Sequence, residues 1–452
     1  MDCVSNVKGI TSNSASPTDT WLLTFKDGVE YNDEPLKQGF MKIWMSEENT
    51  RPKSVYYVAG LNYEKRIYLE VIKRLIDAAV CPNFTRALGG GTNCPHSDFL
   101  KGDLISDLYL RRNMAHAYFK LPNRPAIEVD DDYDFKGGDI SFMKDYKYDF
   151  VISETSDGTT MHDFLKRRYT SDKAFWHIIY QNIMALYVLG LVRLTHNDNH
   201  TNNIFIDDRP STDMTYMVQR GDELSVFTLP SQTKIVKVFD WDRSHSDEIG
   251  ENTLLQSMDF RNITDSYVQA KDLVKFVCHI VKATTKRFTL RYKLVELMIN
   301  GSESEISSVM GSLRDDRNCF LTKYLNNGKN IDNDDRIRPV GEVLKLLEDY
   351  MIESGYATRT STIPSELSNV WYVNPDAFTW PGILKDNPFP VASAELVEAR
   401  EQVKISDLLL KKEEAPAVQF SGVGKPVESW DGDTTESSVL ISGGSERDGG
   451  LL

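Results

Sequence analysis

Apolar positions recur along this chain in two rhythms. Short runs with strand character occur at Trp21-Leu-Leu-Thr-Phe25, Gly39–Met45, Phe150–Glu154, Glu223–Leu229 and Lys234–Phe239. Helical spacing dominates residues 61–77, where Ile67, Tyr68, Val71, Ile72 and Leu75 recur three and four residues apart. Residues 173–194 form a long apolar helix, and helical patterns return at Asp272–Val281, Leu290–Met298, Glu305–Arg314 and Val340–Ser354. Strands with one helix come first and helices dominate later, so the expected class is α+β.

Polar stretches separate these elements. Lys26-Asp-Gly28 reads as a turn, Thr155–Thr160 as a connector and Met161–Leu165 as the opening of a short helix. Residues 86–146 read as an irregular insertion with a short helix or two. Within it Gly89-Gly-Gly91 is expected as a flexible turn, because no Gly-Lys-Ser/Thr follows to make a phosphate loop. Residues 207–221 look turn-like, and 370–410 look like a loosely packed closing segment with a last helix near 394–410. The tail 413–452 carries eight Asp/Glu against two Lys/Arg among many Gly and Ser, which predicts disorder.

Composition narrows the classes. A formal charge of −15 over 452 residues argues against direct nucleic-acid binding, since phosphate contacts need Lys and Arg. No run of 18 apolar residues predicts a membrane span, and the N-terminus lacks a signal-peptide pattern, so a soluble intracellular protein is expected. The five cysteines (3, 81, 94, 278, 319) are scattered and odd in number, which fits a reducing compartment. Cys81, Cys94 and His96 lie close in sequence, but without a Cys-x-x-Cys pair they read as ordinary cysteines rather than zinc ligands.

The chemistry concentrates at residues 193–206. His196-Asn-Asp198-Asn-His200-Thr-Asn-Asn203 precedes an apolar strand-like run, Ile204-Phe-Ile206. An Asp can accept the proton of an attacking hydroxyl, and an Asn five residues on can hold a metal ion on nucleotide phosphates. Such chemistry also needs a cation on the phosphates, a carboxylate to hold that cation and a second oxygen ligand. Lys42 in a strand, Glu64 on the helix that follows and Asp240 at a strand end supply these in order. The small residues around Gly9, ahead of the Trp21 strand, are a candidate for backbone approach to phosphate.

This order resembles the protein-kinase superfamily over about residues 5–300. It is closest in flavour to the divergent serine/threonine kinases of large nucleocytoplasmic DNA viruses, such as iridoviruses. The resemblance implies a bilobal fold: residues 1–155 as a β-rich N-lobe with an insertion at about 86–146, and 156–300 as a helical C-lobe core. Residues 301–412 would be a helical extension and 413–452 an acidic tail. It implies ATP and Mg²⁺ as cofactors, Asp198 as catalytic base, and Lys42 held by Glu64 on the α/β-phosphates. Asn203 and Asp240 would be the metal ligands, Asp272 a structural acid opening a buried helix, and His200 a neighbour of the γ-phosphate. Phe150–Thr155, with Glu154 near its end, would meet adenine through its backbone. The implied acceptor is a protein Ser or Thr, and the implied location is host cytoplasm or virion.

The sequence also departs from that pattern. His196-Asn197-Asp198 replaces His-Arg-Asp, His200 stands where a Lys is usual, and Asp240-Trp241-Asp242 replaces Asp-Phe-Gly. The glycine loop is degenerate, with Gly9 alone, and no Ala-Pro-Glu occurs between 243 and 272. Two alternatives therefore stay open: a small-molecule kinase of the choline or aminoglycoside phosphotransferase type, with Asp242 as a second acid, and a nucleotide-binding pseudokinase.

Overall fold

The computed structural model describes residues 3–10, 18–31, 34–49, 55–101, 104–107, 110–111, 114, 144–156, 158–166, 171–257, 267–284, 287–312, 336–364, 369–379 and 383–384. The fold is mixed α+β, with a β-rich N-terminal part and helices later. Strands β1 (Val4–Ile10), β2 (Asp19–Phe25), β3 (Gln38–Met45), β4 (Ala87–Pro95) and β5 (Lys147–Glu154) make an antiparallel sheet in the order β1-β2-β3-β5-β4. Side chains alternate between its faces. Trp21, Leu23, Phe25, Met41, Ile43 and Met45 fill a core on one side. The opposite alternation puts Lys42 and Trp44 on the other side, against helix α1 (Val55–Arg66).

Helix α1 continues through a π-helical stretch, Ile67–Ile72, into α2 (Lys73–Asp77). The five apolar positions predicted to face inward, Ile67, Tyr68, Val71, Ile72 and Leu75, are all buried. Polar ties fix the helix to the sheet: Trp44 Nε1 donates to Asn62 Oδ1 at 3.1 Å, and Lys65 Nζ lies 2.9 Å from Asp149 Oδ2. Glu70 pairs at the surface with Arg66 at 2.9 Å.

Gly89–Gly91 is not a turn but lies inside β4, paired with β5. Close approach is the reason. A Cβ on Gly90 would sit 2.9 Å from Phe150 O and 3.1 Å from Leu69 Cδ1, and one on Gly91 would sit 2.4 Å from the Phe150 ring. Glycine there lets the strand lie between β5 and the helix. The remaining insertion and the 394–452 predictions lie largely or wholly outside the described residues.

Helix α3 (Met161–Lys166) and the long α4 (Asp172–Leu191) begin the helical part. Ser171 caps α4, its Oγ accepting from Ala174 N at 3.1 Å. Among the described residues α4 alone is long and apolar enough to cross a bilayer. Yet 78% of its most apolar window is buried within the molecule, so its apolar surface is used by the protein's own core. Tyr180 stacks on Phe227 at 4.5 Å and Trp176 meets Tyr350 edge-on at 4.9 Å.

Residues 207–221 are also not turn-like. Residues 207–220 belong to β6 (Ile204–Arg220), which pairs with β7 (Glu223–Val238) in one long antiparallel hairpin whose turn holds Gly221, at φ +60°. Met214–Val218 are buried in succession because the sheet is covered on both faces: Tyr216 and Val218 join the main core, Met217 a second cluster with Val226, Val370 and Tyr372. Strands β8 (Thr358–Thr360) and β9 (Val370–Val373), from the C-terminal extension, complete the order β8-β7-β6-β9. The helices α5 (Gln269–Ala283), α6 (Phe288–Met298), α7 (Glu303–Ser312) and α8 (Val340–Glu353) follow the sequence prediction closely. Buried Glu348 on α8 holds Arg220 at 3.0 Å and Arg359 at 2.9 Å, tying this extension to the hairpin.

Candidate functional site

The predicted lysine and glutamate meet. Lys42 Nζ lies 2.7 Å from Glu64 Oε2 and 3.6 Å from Asp240 Oδ1. Burial alone would lower the lysine's pKa, but Glu64, Asp240 and Asp242 outweigh it and keep the ammonium charged. Residues 246–250 also hold α1 and its continuation α2 in place. Tyr63 OH accepts from Ser246 N at 2.7 Å and donates to Gly250 O at 3.0 Å, and Arg74 Nη1 meets Glu248 Oε1 at 2.7 Å.

The 196–203 loop is delivered by the end of α4. Its backbone is gripped by Asp272 of α5, whose Oδ2 accepts from His196 N at 2.6 Å and whose Oδ1 accepts from Asn197 N at 2.9 Å. Asn197 (φ +63°) and Asp240 (φ +72°) both adopt the left-handed region. Asn and Asp are the non-glycine residues that tolerate it best, so these two identities suit the backbone as well as the chemistry. His196 Nε2 meets Phe239 O at 2.9 Å, and Phe239 N donates to Asn203 O at 3.2 Å. These bonds tie the loop carrying Asp198 to the strand end carrying Asp240.

A buried column of side chains runs beside that junction. Trp241 is fully buried, 4.6 Å from the His196 ring, and packs on Tyr68 and Phe84 at 6.4 and 6.0 Å. Tyr68 stands one turn beyond Glu64, so Trp241 links the glutamate's helix to the 196–203 loop.

Asp198 is almost fully buried, and both of its oxygens are engaged. Lys275 Nζ of α5 donates to Oδ1 and to Asn197 O, the latter at 3.1 Å; Arg243 Nη1 donates to Oδ2 at 2.9 Å. Burial would raise this carboxyl, but Lys275 and Arg243 hold it down at about 2, so it is anionic at neutral pH. His200 Nε2 lies 3.7 Å from Asp198 Oδ1. Burial lowers the His200 pKa despite the pull of Asp198, and the neutral ring is favoured. Asn203 Nδ2 donates to Asp198 O at 3.1 Å, which orients the amide and leaves its oxygen for a cation.

Glu64, Asp240 and Asp242 together face the single ammonium of Lys42. Burial first, then Asp240 and Glu64, push the Asp242 carboxyl up to about 8. Hard oxygens in negative excess fit a divalent cation such as Mg²⁺, which takes one or two protein ligands and completes its shell with phosphate and water. Among the described residues no group of three or more His, Cys, Asp or Glu is gathered as a metal cluster. Cys81 Sγ donates to Asn83 Oδ1 at 3.4 Å, and His96 Nε2 sits 2.7 Å from Asp107 Oδ1.

Two predicted cofactor residues lie differently from the simplest expectation. Gly9 is inside β1, opposite Trp21, and residues 11–17 fall outside the described residues. Glu154 ends β5 with its N–H already donating to Arg86 O at 2.9 Å. Its carboxylate accepts from Lys237 at 2.7 Å, and Lys237 with Arg86 outweighs burial to lower its pKa. That N–H is therefore committed within the protein rather than offered to a nucleobase. Sequence reasoning missed Lys275 and Arg243. Lys275 carried a signal, since it stands three residues after Asp272 on the same helical face.

The chain matches no family model and no curated protein.

Proposed function

We propose that this chain is an ATP·Mg²⁺-dependent phosphotransferase with a bilobal, protein-kinase-like fold, acting on protein Ser or Thr hydroxyls. The observation that carries the reading is a carboxylate-held lysine beside Asp240, with an anionic aspartate on a loop bonded to the residue before Asp240. Lys42 is 2.7 Å from Glu64 and 3.6 Å from Asp240, while Asp198 and Asn203 lie on a loop bonded to the residue before Asp240. The fold reading draws on the antiparallel sheet that carries Lys42, the helix that carries Glu64, and the helical part that carries Asp198.

In this reading Lys42 neutralises the α/β-phosphates, with Glu64 fixing its rotamer. Asp240 and the oriented Asn203 oxygen would hold Mg²⁺, which supplies charge neutralisation between the β- and γ-phosphates. Asp198 orients the acceptor hydroxyl and takes its proton. The hydroxyl oxygen forms a bond to the γ-phosphorus as the bond to the bridging oxygen breaks. That electron pair leaves on the β-phosphate oxygen of ADP. His200, neutral and beside Asp198, can donate a hydrogen bond but carries no charge to the phosphoryl.

Asp242 favours a second reading, the small-molecule kinase, because a second acid beside Asp240 adds a metal oxygen that one-acid sites lack. Incorporation of labelled γ-phosphate into a protein mixture tests the two. Labelled protein Ser or Thr supports the first. ATP consumption with unlabelled protein supports the second, and nucleotide binding without consumption refutes both.

A further inference from the structure

We propose that Lys275 is a positioning residue for Asp198, acting on its carboxylate from helix α5. The inference rests on the phosphotransfer reading for its rate consequence, but its geometry stands apart from it. One turn of α5 holds the loop twice. Asp272 accepts the His196 and Asn197 amides at 2.6 and 2.9 Å, and Lys275 donates to Asn197 O at 3.1 Å and to Asp198 Oδ1. The two side chains thus engage both the N–H and the C=O of Asn197 and one carboxylate oxygen of Asp198. Arg243 reaches only the other oxygen, at 2.9 Å, and comes from outside the helix. Its side chain is 39% exposed, against 18% for Lys275, so Lys275 is the more buried of the pair.

The loop offers no substitute. His200 Nε2 is 3.7 Å from the same Oδ1 that Lys275 binds, beyond hydrogen-bond distance. The proximity has a useful corollary: an ammonium placed at position 200 reaches the same oxygen. Lys275 takes no proton in the reaction. It fixes the carboxylate so that one lone pair faces the acceptor hydroxyl.

The test uses the full chain in four forms: wild type, Lys275→Ala, Lys275→Arg, and His200→Lys combined with Lys275→Ala. Turnover of ATP·Mg²⁺ with protein acceptor is read as kcat and KM separately, with melting and nucleotide binding alongside. Lys275→Ala is expected to lose about 100-fold in kcat, the scale of an ångström-sized misplacement of a reacting group. Nucleotide binding and KM for ATP should stay near wild type. Lys275→Arg and the double variant should regain most of the lost kcat. A Lys275→Ala chain turning over near the wild-type rate overturns the assignment. So does a loss that neither rescue restores. Should Lys275→Ala fail to fold, the double variant decides alone: recovered turnover supports positioning, and inactivity contradicts it. If wild type itself transfers no phosphoryl group, the phosphotransfer reading has failed, and hydrogen exchange at residues 196–199 judges Lys275. Faster exchange in Lys275→Ala that His200→Lys reverses supports the clamp, and unchanged exchange refutes it.

Discussion

Asp272 is the anchor on which the geometry of the 196–203 loop depends, and removing its charge should be costly. Its two oxygens accept the His196 and Asn197 amides at 2.6 and 2.9 Å in a fully buried setting. Asp272→Asn keeps the shape but leaves one oxygen. One amide then faces the Asn NH₂ and loses its acceptor, at about 1–3 kcal/mol for an unsatisfied buried donor. The surviving bond also loses its ionic character, roughly another 1 kcal/mol. Relief of the buried charge works the other way, since burial raises the Asp272 pKa. The net expectation is about 2 kcal/mol for Asp272→Asn, and about 3–5 kcal/mol for Asp272→Ala, which orphans both amides. Urea unfolding midpoints measure the global cost, and hydrogen exchange at His196 and Asn197 measures the local one. Asp272→Asn within about 0.5 kcal/mol of wild type, with both amides still protected, would refute the anchoring argument.

Glu64→Ala should free Lys42 to pair with Asp240, now 3.6 Å away, and so weaken nucleotide binding by roughly 10-fold or more; calorimetric titration with ATP·Mg²⁺ checks this. Trp241→Ala should destabilise the fold by about 3–5 kcal/mol, because the ring fills a fully buried column between Tyr68, Phe84 and His196; thermal melting would show it. The same packing predicts that Trp241 does not swing outward, so its fluorescence should be unchanged by nucleotide. Asp198 titrates at about 2 when folded against about 3.9 unfolded. Its depressed pKa stabilises the folded state above pH 4, and that contribution, about 2 kcal/mol, is lost as the pH falls towards 2. The stability gap between wild type and Asp198→Asn should therefore narrow over that window in acid-dependent urea unfolding.

Much of this was legible in the sequence where local pattern and chemistry agree. The helix at 61–77 announced itself by spacing, and Glu64 sits on its inward face as the periodicity requires. Lys42 could be placed in a strand, but its pairing with Glu64 depended on which face of that strand met the helix. Strand alternation decides this only once the partner core is known. The long β6–β7 hairpin was hidden because Asp207-Asp-Arg-Pro210 reads as a loop. Tertiary pairing with β7 and β9 overrides that local composition. Gly89–Gly91 looked like a turn because glycine marks turns. Here it marks close packing, which a sequence does not display. Lys275 and Arg243 were missed because they reach Asp198 from 77 and 45 residues away.

The central claim is that Asp198, facing a lysine-gripped nucleotide, drives phosphoryl transfer. Its most direct test is incorporation of labelled γ-phosphate from ATP·Mg²⁺ into protein by wild type and by Asp198→Ala. The account predicts labelled Ser or Thr in the wild-type reaction, loss of labelling in the variant, and nucleotide still bound by both. Labelling by Asp198→Ala at the wild-type rate would contradict it.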